Sequence, residues 1–93
     1  MPTKIKLGWG KGAIVRDEAR GTLGYVMSGS RRPEFEVDER LIVGVSIERD
    51  PKQFWRTVTI HGAGTTLARL RLARKTADVL AGWLRDNVAG MRR

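Results

Sequence analysis

Apolar and polar residues alternate with a period of two along most of the chain, and change to a helical period near its end. Ile5, Leu7 and Trp9 alternate with Lys4, Lys6 and Gly8, which predicts a strand. Gly10-Lys11-Gly12 breaks it, and Ala13-Ile14-Val15 returns as the second arm of a hairpin. Asp17 to Gly21 reads as a turn. Thr22 to Met27 follows as a strand with Leu23, Tyr25 and Met27 on one side. Ser28 to Pro33 is loop-like, because a regular element rarely crosses an Arg-Pro step. Glu34 to Glu39 alternates and is acidic, as in an exposed strand or an extended connector.

Leu41 to Glu48 carries the strongest strand pattern, with Leu41, Val43, Val45 and Ile47 on one face and Asp50-Pro51 closing it. Ile42, beside Gly44 and Ser46, falls on the opposite face. From Phe54 to Ile60, parity sets Phe54, Val58 and Ile60 against Trp55, Thr57, Thr59 and His61. Arg56 shares the face of Phe54 and Val58. After Gly62-Ala63-Gly64, Ala68, Leu70 and Leu72 take one side of a strand and Leu67, Arg69 and Arg71 the other.

The period then lengthens. Thr76 suits an N-cap, and Asp78 a first turn where the helix dipole favours an acid. Ala77, Leu80, Ala81, Leu84, Val88 and Met91 recur as an apolar stripe, with Arg92 and Arg93 at the favourable end of the dipole. The expected fold is therefore α+β: one domain over residues 1–93, with strands within 3–73 and a helix over about 76–91. The antiparallel sheet would have four to six strands, packed by that C-terminal amphipathic helix. Sheet edges left open by such a layout favour a homodimer.

Composition narrows the chemistry. The chain has 93 residues, 41% hydrophobic and 30% charged, as in a globular domain. It has no cysteine, which excludes disulfides and thiolate metal sites. Its apolar runs fall far short of the ~20 residues that span a bilayer. Its first residues lack the apolar core of a signal peptide. These features place it in the cytoplasm, of a bacterium or its phage, with no membrane contact.

The glycines of Gly8-Trp9-Gly10-Lys11-Gly12 have neither the Walker nor the dinucleotide spacing, so they are read as a hairpin turn. His61 is the single histidine and has no cysteine to complete a zinc site; it reads as a surface or sheet-edge residue. The serines lack a nucleophile-elbow context. Glu34, Glu36, Asp38 and Glu39 suit a solvated edge that discourages sheet-to-sheet pairing, or a patch that meets the basic end of a second copy. No catalytic residue, metal ligand or cofactor is assigned, and the protein is read as a non-enzyme.

Charge gives the positive signal. From Gln53 onward, eight cationic side chains stand against Asp78 and Asp86, which is +6 of the net +8. The isoelectric point of about 11.1 exceeds the ~9 typical of nucleic-acid-binding domains. Parity groups Arg69 with Arg71, Trp55 with Thr57 and Thr59 could face outward beside them, and Arg74 and Lys75 follow at the strand-to-helix junction. Aromatic rings on a cationic sheet hold single strands: bases stack on the rings and arginines track phosphates. Lys4, Lys6, Trp9 and Lys11 form a second set of the same kind.

The strand run ending in Leu70-Arg71-Leu72, followed by the Ala77 to Leu84 helix, resembles two known layouts. One is the single-strand-binding domain of positive-cofactor transcription proteins; the other is the bacterial pleckstrin-like barrel. The resemblance is one of topology over about the final half of the chain, and it assigns no functional residue. The expected function is a small basic nucleic-acid-binding or regulatory protein, taking single strands rather than duplex. The alternative is an adaptor or inhibitor, phage-encoded, that docks an acidic partner protein.

Overall fold

The computed structural model describes residues 3–49 and 54–91. They form two units that divide between Glu39 and Arg40. The first is a four-stranded antiparallel sheet of β1 (Thr3–Lys6), β2 (Ala13–Asp17), β3 (Thr22–Val26) and β4 (Pro33–Asp38), in chain order. Its register lines up Ile5, Ile14, Tyr25 and Phe35 in one row across the strands. Ile14, Leu23, Tyr25 and Phe35 from this face are buried. Tyr25 and Phe35 lie nearly parallel, 6.4 Å between centroids.

Polar ties complete the unit. The Tyr25 hydroxyl donates to the Lys11 carbonyl at 2.7 Å, joining β3 to the first hairpin loop. Arg16 forks onto Glu39, its Nε donating to Oε2 at 3.0 Å and its Nη2 to Oε1. The Glu39 amide donates to the Gly21 carbonyl. Only part of the acidic run is therefore solvated edge: Glu34 and Glu36 are exposed on β4, whereas Glu39 is half-buried against an arginine.

Tyr25 also makes the unit sensitive to alkali. Burial, with a smaller influence from the Glu34 carboxylate, raises its phenol above the ordinary 10.0. The unfolded chain then ionises first. The stability from the neutral buried phenol is complete below pH 10 and is lost as pH rises through the folded value. Tyr25 is the single tyrosine, so phenolate absorbance reports it alone. The expected result is a titration midpoint above 10 in the folded protein, and a shallower alkaline loss of stability in Tyr25→Phe.

A 3₁₀ turn, Glu39–Leu41, spans the division, and the second unit continues as β5 (Gly44–Arg49), β6 (Trp55–Gly62) and β7 (Thr65–Ala73) in one antiparallel sheet. The hairpin between β6 and β7 closes through Gly64, whose φ of 71° is a conformation open to glycine. Helix α1 (Arg74–Asn87) and a 3₁₀ turn, Ala89–Met91, follow. Across the sheet, Val45, Ile60 and Ala68 form one row and Ile47, Val58 and Leu70 the next. Val58, Ile60, Leu70 and Leu72 are buried. Helix α1 comes close to all three strands, and its Ala77, Leu80, Ala81 and Leu84 are buried.

The α+β class, antiparallel pairing and C-terminal helix agree with the sequence reading, but the strands are shared between two sheets rather than gathered into one. The division falls where strand parity fails. Residues 39–41 wind into a turn, so Leu41 and Val43 are exposed and Ile42 is buried, the reverse of the alternation expected there. The Ala89–Met91 turn packs closely on this segment, since a Cβ on Gly90 would stand 2.3 Å from the Ile42 carbonyl oxygen. Met27 follows a register shift after Tyr25 and is exposed instead of aligning with Leu23. Trp9 and Phe54 leave their expected strand faces in the same way, since each lies beyond the paired residues.

The helix starts at Arg74, not Thr76. Ala73 is its N-cap without a side-chain bond, and no acid stands in the first turn, so Thr76 and Asp78 do not have the roles expected of them. The Arg74 amide, donating to the Phe54 carbonyl at 3.0 Å, begins the helix early. Val88 and Met91 follow the helix, which ends when Val88 turns extended. Asp50-Pro51 and the terminal Arg92 and Arg93 lie outside the described residues.

Candidate functional site

The register of β6 with β7 decides which side chains share a face. Thr57 pairs with Arg71, Thr59 with Arg69 and Trp55 with Ala73. Trp55, Thr57, Thr59, Arg69 and Arg71 therefore project from one side of the sheet, and Arg56 from the other with Val58 and Ile60. Trp55 is 40% exposed, and the Arg71 guanidinium carbon lies 5.1 Å from its ring centroid. That distance is within the range of a cation–π contact. The pair is diagonal across the two strands, so the arginine lies beside the indole without a change of backbone.

Arg74 and Lys75 open α1 and meet this face at its end. Together with Phe54, Trp55 and Ala73 they line an open recess of about 400 Å³. Phe54 is 81% exposed, which leaves two aromatic rings and two cations around one hollow. Arg69, Arg74 and Lys75 have no ion-pair partner among the described residues. Glu48, across Thr57 from Arg71, is the one acid of the three strands on this face among the described residues. The charged side chains that β6 and β7 put on this face are cationic, and the acid Glu48 stands on β5 at the other edge.

Two features of this face do not follow from strand parity. Thr59 has the expected direction but is 2% exposed, with its hydroxyl unpartnered among the described residues, so it is not a contact surface. His61 is neither exposed nor at an edge: it is half-buried on the central strand and forms a 2.8 Å hydrogen bond with Ser46 Oγ. Both His61 and Ser46 have the right parity in the sequence. Their pairing depends on the β5–β6 register, which parity does not supply.

The second set of basic candidates belongs to the first unit. Lys4 and Lys6 are exposed on one face of β1, opposite Val15 and Ala13. Trp9, on the following turn, shares an open recess of about 520 Å³ with them. Lys11 does not line it; its side chain lies along Gly8, and its carbonyl is taken by Tyr25. Among the described residues no cluster of three or more acidic or histidine side chains is placed to hold a metal ion, and no helix is long and apolar enough to cross a membrane. No protein-family model, curated protein or solved structure matches the chain.

Proposed function

We propose that this is a small, non-enzymatic nucleic-acid-binding protein that holds a single strand on the Trp55–Arg71 side of β6 and β7. The observation that carries the reading is the Trp55–Arg71 pair beside Arg69, continued by Arg74 and Lys75 at the start of α1. In this reading α1 covers the apolar face of the sheet and leaves the opposite face to the ligand. Bases stack on Trp55 and Phe54, while the four cations neutralise phosphates along the strand. A flat aromatic surface suits unstacked bases; reading a duplex needs an element that enters a groove.

Trp55 gives the direct test. Stacking contributes roughly 1–3 kcal/mol per base on alanine substitution. Trp55→Ala should therefore weaken binding of a fluorescein-labelled oligothymidine by about tenfold or more, measured by anisotropy at low salt. Trp55→Phe should retain most of the affinity, because it keeps a ring. Equal affinity for wild type and the alanine variant would remove stacking from the account. Binding to an acidic protein with none to oligonucleotides would replace it by the adaptor reading.

A further inference from the structure

We infer that the first unit carries a nucleotide-binding trough of its own, with Trp9 as the stacking residue and Lys4 and Lys6 as the phosphate contacts. Trp9 is 98% exposed, which is unusual for a residue that normally buries most of its large apolar surface. The turn that presents it is well framed. The Lys11 amide donates to the Gly8 carbonyl at 3.1 Å, and Gly10 has φ of 71° at the third position, as a type II turn requires. The Leu7 amide donates to the Gly12 carbonyl below it. Gly12 lies so close to β3 that a Cβ there would stand 2.4 Å from the Val26 carbonyl oxygen. The indole thus stands in solvent on a hydrogen-bonded turn.

What surrounds it selects the ligand. Lys4 and Lys6 stand two residues apart on one face of β1, about 7 Å along the strand. Neither is ion-paired among the described residues. Ala13 and Val26 supply an apolar floor, the turn around Gly29 forms the far wall, and no acid among the described residues lines the recess. Its volume of about 520 Å³ falls within the range of small-ligand sites. An aromatic face, two cations in line and an uncharged floor complement a short phosphodiester segment, one base on Trp9 and its flanking phosphates at the lysines. The site uses none of the residues of the β6–β7 face.

The test follows Trp9 fluorescence in the full chain as the difference between wild type and Trp9→Phe during titration with oligothymidine. The expected result is quenching absent from Trp9→Phe, with its apparent affinity reduced tenfold or more in Lys4→Glu with Lys6→Glu. The quenching should persist in Arg69→Glu with Arg71→Glu, which separates this trough from the other face. Circular dichroism of each variant should match wild type; a lysine variant that fails to fold is replaced by Lys4→Gln with Lys6→Gln, for which a several-fold loss is expected. No Trp9-specific change with the oligonucleotide would overturn the inference. So would a blue shift confined to phosphatidylserine vesicles, which would make the loop a lipid contact.

Discussion

Replacing Arg69 and Arg71 together by glutamate should weaken binding of single-stranded oligonucleotide to the β6–β7 face by about a hundredfold at low salt. Two charge-assisted contacts at roughly 1.5 kcal/mol each amount to that factor, before the repulsion from two new carboxylates is added. Both side chains are exposed, so the sheet beneath them should survive the change. Arg85→Glu is a charge-reversal control, changing the net charge by half as much: it reverses an exposed charge on α1 and should have little effect. Anisotropy with a labelled oligothymidine, each protein also carrying Lys4→Glu with Lys6→Glu so that the first unit's trough does not contribute, reads all three. A double variant that binds as tightly as wild type would dissociate the cationic strand from function, whatever the net charge of the chain.

The second large effect concerns stability. Leu80 is fully buried on α1, and its neighbours Ala77 and Ala81 are already small. Those alanines have no side chain long enough to refill the space that Leu80→Ala would leave. Such a cavity costs about 2–5 kcal/mol, a large part of the ~5–15 kcal/mol that stabilises a typical domain. For a chain of this size the melting temperature should fall by roughly 10 °C or more. Thermal unfolding followed by circular dichroism at 222 nm measures it, and a drop of only a few degrees would mean that the helix contributes little to the second unit. Below its lowered midpoint the variant should still bind, since Leu80 does not reach the ligand face.

Strand parity carried the sequence reading furthest where the strands were long and hydrogen-bonded along their length. It set Trp55 apart from Arg56 and grouped Arg69 with Arg71, and the β6–β7 register puts Trp55 on the Arg69–Arg71 side. It failed at the ends of strands. Alternation through Ile5, Leu7 and Trp9 continues in the sequence after pairing has stopped at Lys6, so the turn residue Trp9 looked like a strand residue. Leu41 and Val43 misled for a related reason, because a 3₁₀ turn changes the face of the residue that follows it.

The start of the helix was hidden by a long-range bond. Thr76 is a better capping residue than Ala73, but the Phe54 carbonyl receives the Arg74 amide and begins the helix three residues sooner. That shift matters for the site, because it brings Arg74 and Lys75 to the recess beside Trp55. The Ser46–His61 contact and the burial of Thr59 depend on register and on cover, neither of which a single strand's pattern contains.

The salt dependence of binding tests the central claim most directly. Four phosphates neutralised by Arg69, Arg71, Arg74 and Lys75, at about 0.7 counterion each for a single strand, give a slope of log K against log salt of about −3 or steeper. Between 50 and 200 mM salt the affinity should then fall by roughly fifty-fold. The measurement is an anisotropy titration of oligothymidine at a series of sodium chloride concentrations. The account predicts that slope for wild type and a shallower one for Arg69→Glu with Arg71→Glu. A slope near zero, or no detectable binding at the lowest salt, would contradict it.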